Sequence, residues 1–256
     1  MEKIHINNQG NIVIVTIDNP PMNALDAQVI DELEQAFEEI AKYDDLNAVV
    51  LTGEGKAFVA GADIKQFVGL KFEGGVKLTT RGQSVYRKIE EFPVPVICAI
   101  NGYALGGGLE LALSCDIRIA DKKAKLGLPE ATLGICPGYG GTQRLPRVVG
   151  KAMAKKMIFT GTPISADDAF SIGLCEQVSD EGKVVEDALL LAEKITKVAP
   201  ISVRKIKKLM NEGMEMKLYD AIDYEAEVFG KLCETEDKEE GTKAFLEKRK
   251  PNFKGK

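Results

Sequence analysis

Apolar residues along the chain follow strand spacing in some segments and helix spacing in others. Two short apolar runs, "KIHI" and "IVIVTID", flank the polar turn "NNQGN" and predict a β-hairpin. Helical spacing then sets in after Asp26, a predicted N-cap, and places Val29, Ile30, Leu33, Phe37, Ile40 and Ala41 on one face. The continuous apolar runs "NAVVLTG", "VPVICAING" and "DIRIAD" are typical of buried strands.

The alternation of buried strands with helices indicates an α/β chain with a largely parallel sheet. A less regular segment to about residue 76 precedes a helix near 78–91, and Ser165 with Asp168 forms a capping box. After "GLCEQV", which permits a last short strand, the pattern predicts helices at about 183–197, 200–212 and 217–233. Pro200 divides the chain into a predicted α/β core (1–199) and a helical C-terminal region (200–256).

The composition is that of an ordinary globular protein, with 45% hydrophobic and 29% charged residues among 256. The net charge of −5 disfavours a broad nucleic-acid-binding surface. No apolar run approaches the roughly 20 residues that a membrane helix needs. The start "MEKIHINNQG" lacks the apolar core of a signal peptide, so we expect a cytoplasmic protein.

The scarcity of histidine restricts the chemistry. His5, in the first predicted strand, is the single histidine, which disfavours a Ser-His-Asp triad, a Cys-His pair and a multi-histidine zinc site. Five scattered cysteines without CxxC spacing are expected to be reduced structural thiols. Acid–base chemistry is therefore expected from Asp, Glu, Lys, Tyr or Cys, with no metal.

Two glycine-bearing segments, "AGAD" (60–63) and "LGGGLE" (105–110), lie where strand-like runs give way to helices. Backbone N–H groups at such a place lack intrahelical partners and can bind an anion, although a plain tight turn also explains the glycines. Glu110 is surrounded by apolar residues, which suggests burial, a narrow solvent stripe or an arginine partner. A second acid, Glu130, lies among apolar, proline and glycine residues. Two carboxyls in one apolar pocket would have raised, separated pKa values and share a proton.

A family resemblance follows from motifs in one order and spacing. The segments "NPPMNAL", "FVAGADIK", "INGYALGGGLELALSCDIRIA", "LGLPEATLGICPGYGGTQRLPRVVG", "TGTPISADDAFSIGL" and "AFLEKRKPNFKGK" resemble the crotonase (enoyl-CoA hydratase/isomerase) superfamily over essentially the whole chain. The resemblance implies the ClpP/crotonase-like α/β fold, a spiral of ββα units with a helical C-terminal region. It also implies homotrimers that pair as homohexamers, with the last helices packed between subunits.

The resemblance further implies the roles of four residues. The backbone N–H groups of Ala62 and Gly107 would form an oxyanion hole for the thioester oxygen of an acyl-CoA. Glu110 and Glu130 would hold one water, with Glu130 as the proton donor to the α-carbon. The presence of both glutamates favours hydration of a trans-2-enoyl-CoA to a 3-hydroxyacyl-CoA, with no cofactor besides the CoA of the substrate. The alternatives are an enoyl-CoA isomerase using one glutamate, another acyl-CoA enzyme of the crotonase superfamily, and an RNA-binding member of the family. The net acidity disfavours the last of these.

The remaining site residues concern CoA and the acyl chain. The resemblance implies substrate or CoA contacts by Asn23, Ala24, Leu25, Ala60, Asp63, Ile64, Lys65, Phe245 and Lys248. Residues 238–256 carry seven basic residues against three acidic ones, although a solvated tail would also explain this. Val59 and Tyr139 depart from the commonest hydratase pattern and would either shorten the acyl pocket or repack it. The segment 66–80 is expected to line the path of the acyl tail.

Overall fold

The computed structural model describes all 256 residues. In chain order its elements are β1 (Ile4–Gln9), β2 (Ile12–Ile17), α1 (Ala27–Ile40), β3 (Ala48–Gly53), β4 (Ala57–Val59), α2 (Phe72–Glu90), β5 (Val96–Ile100), β6 (Tyr103–Leu105), α3 (Gly107–Ser114), β7 (Ile117–Asp121), β8 (Lys125–Gly127), α4 (Gly141–Val149), α5 (Lys151–Thr160), β9 (Ile164–Ser165), α6 (Ala166–Ser171), β10 (Gln177–Ser179), α7 (Val184–Ile195), α8 (Pro200–Gly213), α9 (Leu218–Leu232) and α10 (Glu236–Leu246). Short 3-10 turns follow β4 and β8.

Two sheets are built by successive strand pairs. The large sheet has the order β1-β2-β3-β5-β7-β10, with β1 and β2 antiparallel and the other neighbours parallel. The small sheet has the order β4-β6-β8-β9. The pairs β3/β4, β5/β6 and β7/β8 each place their first strand in the large sheet and their second in the small one. This repetition confirms the predicted α/β spiral.

Strand periodicity divides the core between the two faces of the large sheet. Side chains such as Val49, Leu51 and Cys98 point into a cluster of 42 buried residues that also holds the apolar faces of α1 and α2. The alternate positions, such as Val50 and Ile97, form a second cluster of 10 buried residues beneath α7. Burial on both faces explains why these strands read as continuous apolar runs.

One helix begins earlier than the sequence predicts. We expected irregular chain to about residue 76, but α2 begins at Phe72. Gly74 and Gly75 lie in its first turn, where glycine usually weakens a helix. A Cβ on Gly74 would lie 2.9 Å from Leu70 Cδ1, so the glycine leaves room for the Leu70 side chain to fold over the helix start.

The C-terminal helices are joined to the core by polar contacts. Helix α8 begins at Pro200, contains no buried residue and is held by Lys207, whose Nζ donates to Asp116 Oδ2 (2.7 Å) and to the Val94 carbonyl (3.0 Å). The charged terminus is partly helical rather than a plain tail, because α10 spans Glu236–Leu246 and the Asp237 carboxylate accepts the N–H groups of Lys254 and Gly255. The division into regions 1–199 and 200–256 stays a prediction. None of the helices combines the length and apolar character that a membrane span requires.

The cysteines differ in part from expectation. All five are free thiols. Cys98, Cys115 and Cys175 are buried, as expected for structural residues. Cys136 and Cys233 are exposed, so burial does not support a structural role for these two, and that role stays a prediction. Cys136 lines the cavity described below, and Cys233 follows the last residue of α9.

Candidate active site

A cavity of about 810 Å³ opens between α2, the start of α3 and the segment after β8. Its lining is mostly apolar, and its carboxyl groups are those of Glu110 and Glu130. The lining residues are Ala60, Gly61, Ala62, Ile64, Phe67, Leu70, Phe72, Gly75, Val76, Leu78, Thr79, Gly106, Gly107, Glu110, Pro129, Glu130, Leu133, Gly134, Ile135, Cys136, Gly138 and Tyr139. A cavity of this size with few polar groups is typical of a small-molecule site.

Glu110 lies in the first turn of α3 and is 2% exposed. Its Oε1 accepts the backbone N–H groups of Tyr139 (2.8 Å) and Gly141 (2.7 Å), so Oε2 remains for a ligand. Burial raises the pKa of Glu110 to about 7, and the charge of Glu130 raises it as well, while the two N–H donors oppose the rise. The burial of Glu110 excludes a position on an exposed stripe of the helix. A pKa of about 7 lets the carboxyl exchange a proton near neutral pH.

Glu130 faces the same cavity from the 3-10 turn Glu130–Leu133. Its Oε2 is buried and has no hydrogen-bond partner, and burial raises the pKa of this carboxyl too. Gly106, with φ +52°, leaves room for it, since a Cβ at that position would lie 2.9 Å from Glu130 Oε1. An unpartnered buried carboxyl oxygen at a cavity wall is a group available to a substrate.

Two backbone N–H groups complete the arrangement. A parallel bridge between Leu25 and Ala62 fixes the Ala62 backbone at the cavity edge, and the Ala62 N–H has no hydrogen-bond acceptor. Gly107 is the first residue of α3, so its N–H has no acceptor within the helix. The Tyr86 hydroxyl donates to the Gly107 carbonyl (2.7 Å) and thereby holds this peptide in place. Both N–H groups are free to bind an oxygen that carries negative charge.

Comparison with known proteins assigns the family. The family model of enoyl-CoA hydratase/isomerase matches residues 7–256. The chain belongs to the enoyl-CoA hydratase/isomerase family. A probable enoyl-CoA hydratase of Bacillus subtilis (strain 168) is 46% identical over 246 residues, covering 95% of each chain. A short-chain-enoyl-CoA hydratase of Clostridium acetobutylicum is 43% identical, covering 98% of this chain and 97% of its own.

The crystal structure of an enoyl-CoA hydratase from Bacillus anthracis has the same fold. Its TM-score is 0.95 at 40% identity, and the alignment covers 99% of this chain and 100% of that one. With the strand order described above, this likeness confirms the crotonase fold that the sequence motifs implied.

Six of the site residues that the family resemblance implied for this chain line the cavity. Ala60, Ala62, Ile64, Gly107, Glu110 and Glu130 all line it. Asp63 and Lys65 do not: the Asp63 carboxylate accepts the Lys65 N–H (3.1 Å) at the start of a 3-10 turn, and Lys65 is exposed. Their roles in binding remain predictions.

The loop Asn23–Leu25 supports the site from behind. The Asn23 side chain is buried and donates to the carbonyls of Glu54 (2.9 Å) and Ala57 (2.8 Å), so it is occupied in holding β4. The Ala24 carbonyl accepts the Asn19 side chain (2.7 Å). Leu25 packs behind Gly107, where a Cβ would lie 2.8 Å from Leu25 Cδ1. Contacts of this loop with CoA stay predictions.

The two terminal residues predicted to contact CoA lie elsewhere. Phe245 is 83% exposed near the end of α10, Lys248 follows it with φ +54°, and neither lines the cavity. Within one chain the fold does not bring them to the glutamates.

Val59 and Tyr139 have different surroundings. Val59 is fully buried behind the cavity, where its carbonyl oxygen would lie 2.0 Å from a Cβ on Gly108. Tyr139 lines the cavity, with its ring edge-on to Tyr86 at 5.3 Å between centroids. Val59 is thus a packing residue, whereas Tyr139 bounds the space open to an acyl chain.

Sequence reasoning missed the groups that orient Glu110. These are the N–H groups of Tyr139 and Gly141, together with Arg144, whose Nη1 donates to the Tyr139 carbonyl (3.0 Å). The glycines in "PGYGG" were a signal for backbone donors near a helix start. No local pattern indicated that they face a glutamate about 30 positions earlier.

Proposed function

We propose that the protein is an enoyl-CoA hydratase that adds water to a trans-2-enoyl-CoA and yields a 3-hydroxyacyl-CoA, with a short-chain substrate such as crotonyl-CoA. The observation that carries the proposal is that Glu110 and Glu130 line one apolar cavity with the peptides of Ala62 and Gly107. The names of the hydratases to which the chain is 46% and 43% identical support it.

The backbone donors would bind the thioester oxygen. As the enolate forms, negative charge moves onto this oxygen, and the free N–H groups of Ala62 and Gly107 would stabilise it. Donors held in place for a developing charge are worth about 3 kcal/mol each. Withdrawal of electrons by this hole makes the β-carbon of the enoyl group electrophilic, which is the condition for attack by water.

The family resemblance implies different roles for the two carboxyls. We assign Glu110 as the base that takes the proton of water, because its two backbone N–H donors hold the carboxylate and oppose the rise of its pKa. We assign Glu130 as the donor of a proton to the α-carbon, and its buried, unpartnered Oε2 is available to carry that proton. The charge of Glu130 raises the pKa of Glu110 in the empty cavity, so the two carboxyls share one proton, which must lie on Glu130 when water attacks. The hydroxyl of one water adds to the β-carbon and the proton of Glu130 adds to the α-carbon. The proton that Glu110 took from this water then passes to Glu130, which restores both carboxyls.

The proposed chemistry needs no group besides CoA, because carboxyls move the protons and the backbone binds the oxyanion. We therefore propose that no metal or redox cofactor takes part. Hydratase activity is expected to survive prolonged dialysis against EDTA. Loss of activity that zinc or magnesium restores would contradict this part of the proposal.

The test is the loss of absorbance of the conjugated thioester when crotonyl-CoA and longer homologues are added. Glu110→Gln and Glu130→Gln are each expected to lower kcat by about 100-fold or more, the usual scale of general acid–base catalysis. Glu91→Gln, at an exposed residue just after α2 with no ion-pair partner, is the control and should leave kcat unchanged. Near-normal turnover in both active-site variants would refute the proposal.

The isomerase alternative is tested with the same preparation. A 3-enoyl-CoA and a 2-enoyl-CoA are supplied separately, and their turnover is compared. Hydration of the 2-enoyl substrate at the higher rate supports the hydratase. Conversion of the 3-enoyl substrate without hydration of the 2-enoyl one would favour an isomerase that uses one glutamate.

We also infer that the chain assembles with copies of itself as a homotrimer or a homohexamer. Helix α8 and its C-cap expose Ile206, Met210 and Met214 at intervals of four residues, with 50%, 64% and 83% of each residue exposed. Helix α9 adds Leu218 and Phe229, each 69% exposed, whereas Val228 is buried within the chain. Contiguous apolar surface of this kind marks an interface.

Light scattering coupled to size-exclusion chromatography tests the assembly. The expected mass is that of three or six chains, and Met210→Glu combined with Phe229→Glu should shift it toward one chain. Lys208→Glu, at an exposed position of the same helix, serves as the control. A wild-type monomer at tens of micromolar would contradict the inference.

A further inference from the structure

The loop Tyr139–Gly141 sets the orientation of Glu110. Its first and last residues donate the two N–H groups that hold Glu110 Oε1, at 2.8 and 2.7 Å. Gly140 lies between them with φ +109°, a backbone conformation that residues other than glycine rarely adopt. A shift of this loop would therefore turn the carboxylate away from the position it has in the cavity.

Arg144 is attached to this loop from the first turns of α4. Its Nη1 donates to the Tyr139 carbonyl (3.0 Å), while Nε and Nη2 donate to the two carboxylate oxygens of Glu90 (3.1 and 2.6 Å). Glu90 is the last residue of α2, so the guanidinium joins that helix to the loop. The planar fork of arginine suits this paired contact, which lysine cannot reproduce.

The neighbouring glycine shows how closely the guanidinium approaches the loop. A Cβ on Gly140 would lie 2.3 Å from Arg144 Nη1, so the contact exists only because residue 140 is glycine. The Arg144 side chain is 17% exposed, which limits competition from water. The Glu90 side chain is 41% exposed, so the ion pair itself contributes little, and the attachment of the loop depends on the shielded contact between the guanidinium and the Tyr139 carbonyl.

We propose that Arg144 is a positioning residue of the hydration reaction: it clamps the Tyr139–Gly141 loop to α2 and so keeps the Glu110 carboxylate aimed at the substrate. This inference rests on the proposed function for the role of Glu110. Arg144 does not line the cavity, so it acts through the loop and through its charge.

The charged groups around Glu110 give the clamp a measurable signature. Glu130 raises the pKa of Glu110 and the Arg144 cation lowers it. Tyr139 and Tyr86 also face this carboxyl, and both stay neutral near pH 7 because burial raises the pKa of Tyr139 to about 12 and that of Tyr86 well above its usual value. Removal of the Arg144 charge is expected to raise the pKa of Glu110 and to shift the acid limb of kcat/KM to higher pH.

The experiment compares Arg144→Met, Arg144→Lys and Arg147→Met with wild type, using crotonyl-CoA. Arg144→Met should lower kcat by about 10-fold to 100-fold, change KM less than threefold and move the acid limb to higher pH. Arg144→Lys should have a lower kcat than wild type, but the acid limb of its kcat/KM profile should stay near the wild-type pH because the positive charge remains. Arg147→Met removes an exposed cation three residues further along α4 and should change neither.

Two kinetic results would overturn the inference: an Arg144→Met enzyme with wild-type kcat, or one with reduced kcat and an unmoved acid limb. An infrared titration supplies a readout that needs no turnover. The infrared difference spectrum, wild type minus Glu110→Gln, contains a carboxylic acid band that reports the protonation of Glu110. In the same difference spectrum recorded in the Arg144→Met background, this band should titrate at higher pH. If wild type fails to hydrate any enoyl-CoA, the proposed function fails, whereas an unmoved infrared titration would refute the clamp alone.

Discussion

Replacement of Glu110 by glutamine should make the protein more stable while it lowers kcat by about 100-fold or more. The folded protein raises the pKa of this carboxyl from 4.5 to about 7, mainly because the group is buried. Between these two pH values the folded state holds a proton that the unfolded state releases. The stability of wild type therefore falls as pH rises through this window, and the loss is complete above the folded pKa.

The magnitude follows from the size of the shift. One pKa unit corresponds to 1.36 kcal/mol, so a shift from 4.5 to about 7 costs the folded state about 3 kcal/mol at pH 8. Glutamine carries no charge at any of these pH values, and its carbonyl oxygen can still accept the N–H groups of Tyr139 and Gly141. The variant should thus gain on wild type by roughly 2 to 3 kcal/mol between pH 5 and pH 8.

Denaturant unfolding measures this difference. Wild type, Glu110→Gln and the exposed control Glu91→Gln are unfolded in urea at pH 5, 6, 7 and 8, at one protomer concentration because assembly would add to apparent stability. The control should follow wild type within about 0.5 kcal/mol. A constant difference between Glu110→Gln and wild type from pH 5 to pH 8 would refute the argument that Glu110 is a buried, destabilising acid.

Three further predictions concern substrate and stability. Lys248→Ala should raise KM for crotonyl-CoA severalfold without changing kcat, and an unchanged KM in steady-state assays would leave the residue without a role in CoA binding. An enoyl-CoA whose chain ends in a carboxylate should show kcat/KM at least about 10-fold below an uncharged chain of equal length, because the cavity lining offers two acids and no cation. Lys207→Met should lower the free energy of unfolding by about 3 kcal/mol, since it leaves Asp116 charged without its partner, and Asp116→Asn in that background should restore part of the loss.

The parts of the fold that the sequence predicted are those with a long, regular pattern. The buried strands β3, β5 and β7 and the capping box of Ser165 and Asp168 were all predicted. The second sheet was implied only by the ββα units of the family resemblance, because β4, β6 and β8 have three residues each and show no period of their own. They exist because they pair with one another, and such pairing between distant segments leaves no local signal.

The same limit applies to the site. The apolar neighbourhood of Glu110 left burial, a narrow solvent stripe and an arginine partner open, and the structure shows that the residue is buried. Its hydrogen-bond donors lie 29 and 31 positions away, and the ion pair that ties their loop to α2 joins residues 54 positions apart. Positions so distant are brought together by the packing of α2, α3 and α4. The apolar residues around Glu110 in the sequence indicate that its pKa is raised, but the orientation of its carboxyl depends on the tertiary fold.

The surroundings of Gly106, Gly107 and Gly108 show whether these glycines form only a tight turn or are needed to build the site. A plain turn would need freedom of the backbone and nothing more, yet each of these positions is closely approached by a different part of the protein. Side chains there would meet the Glu130 carboxyl, Leu25 Cδ1 and the Val59 carbonyl oxygen respectively, at 2.9, 2.8 and 2.0 Å. The last contact lets α3 pack directly on β4, which brings its first turn, with Gly107 and Glu110, to the strand that leads to Ala62. The glycines are therefore required by the assembly of the site.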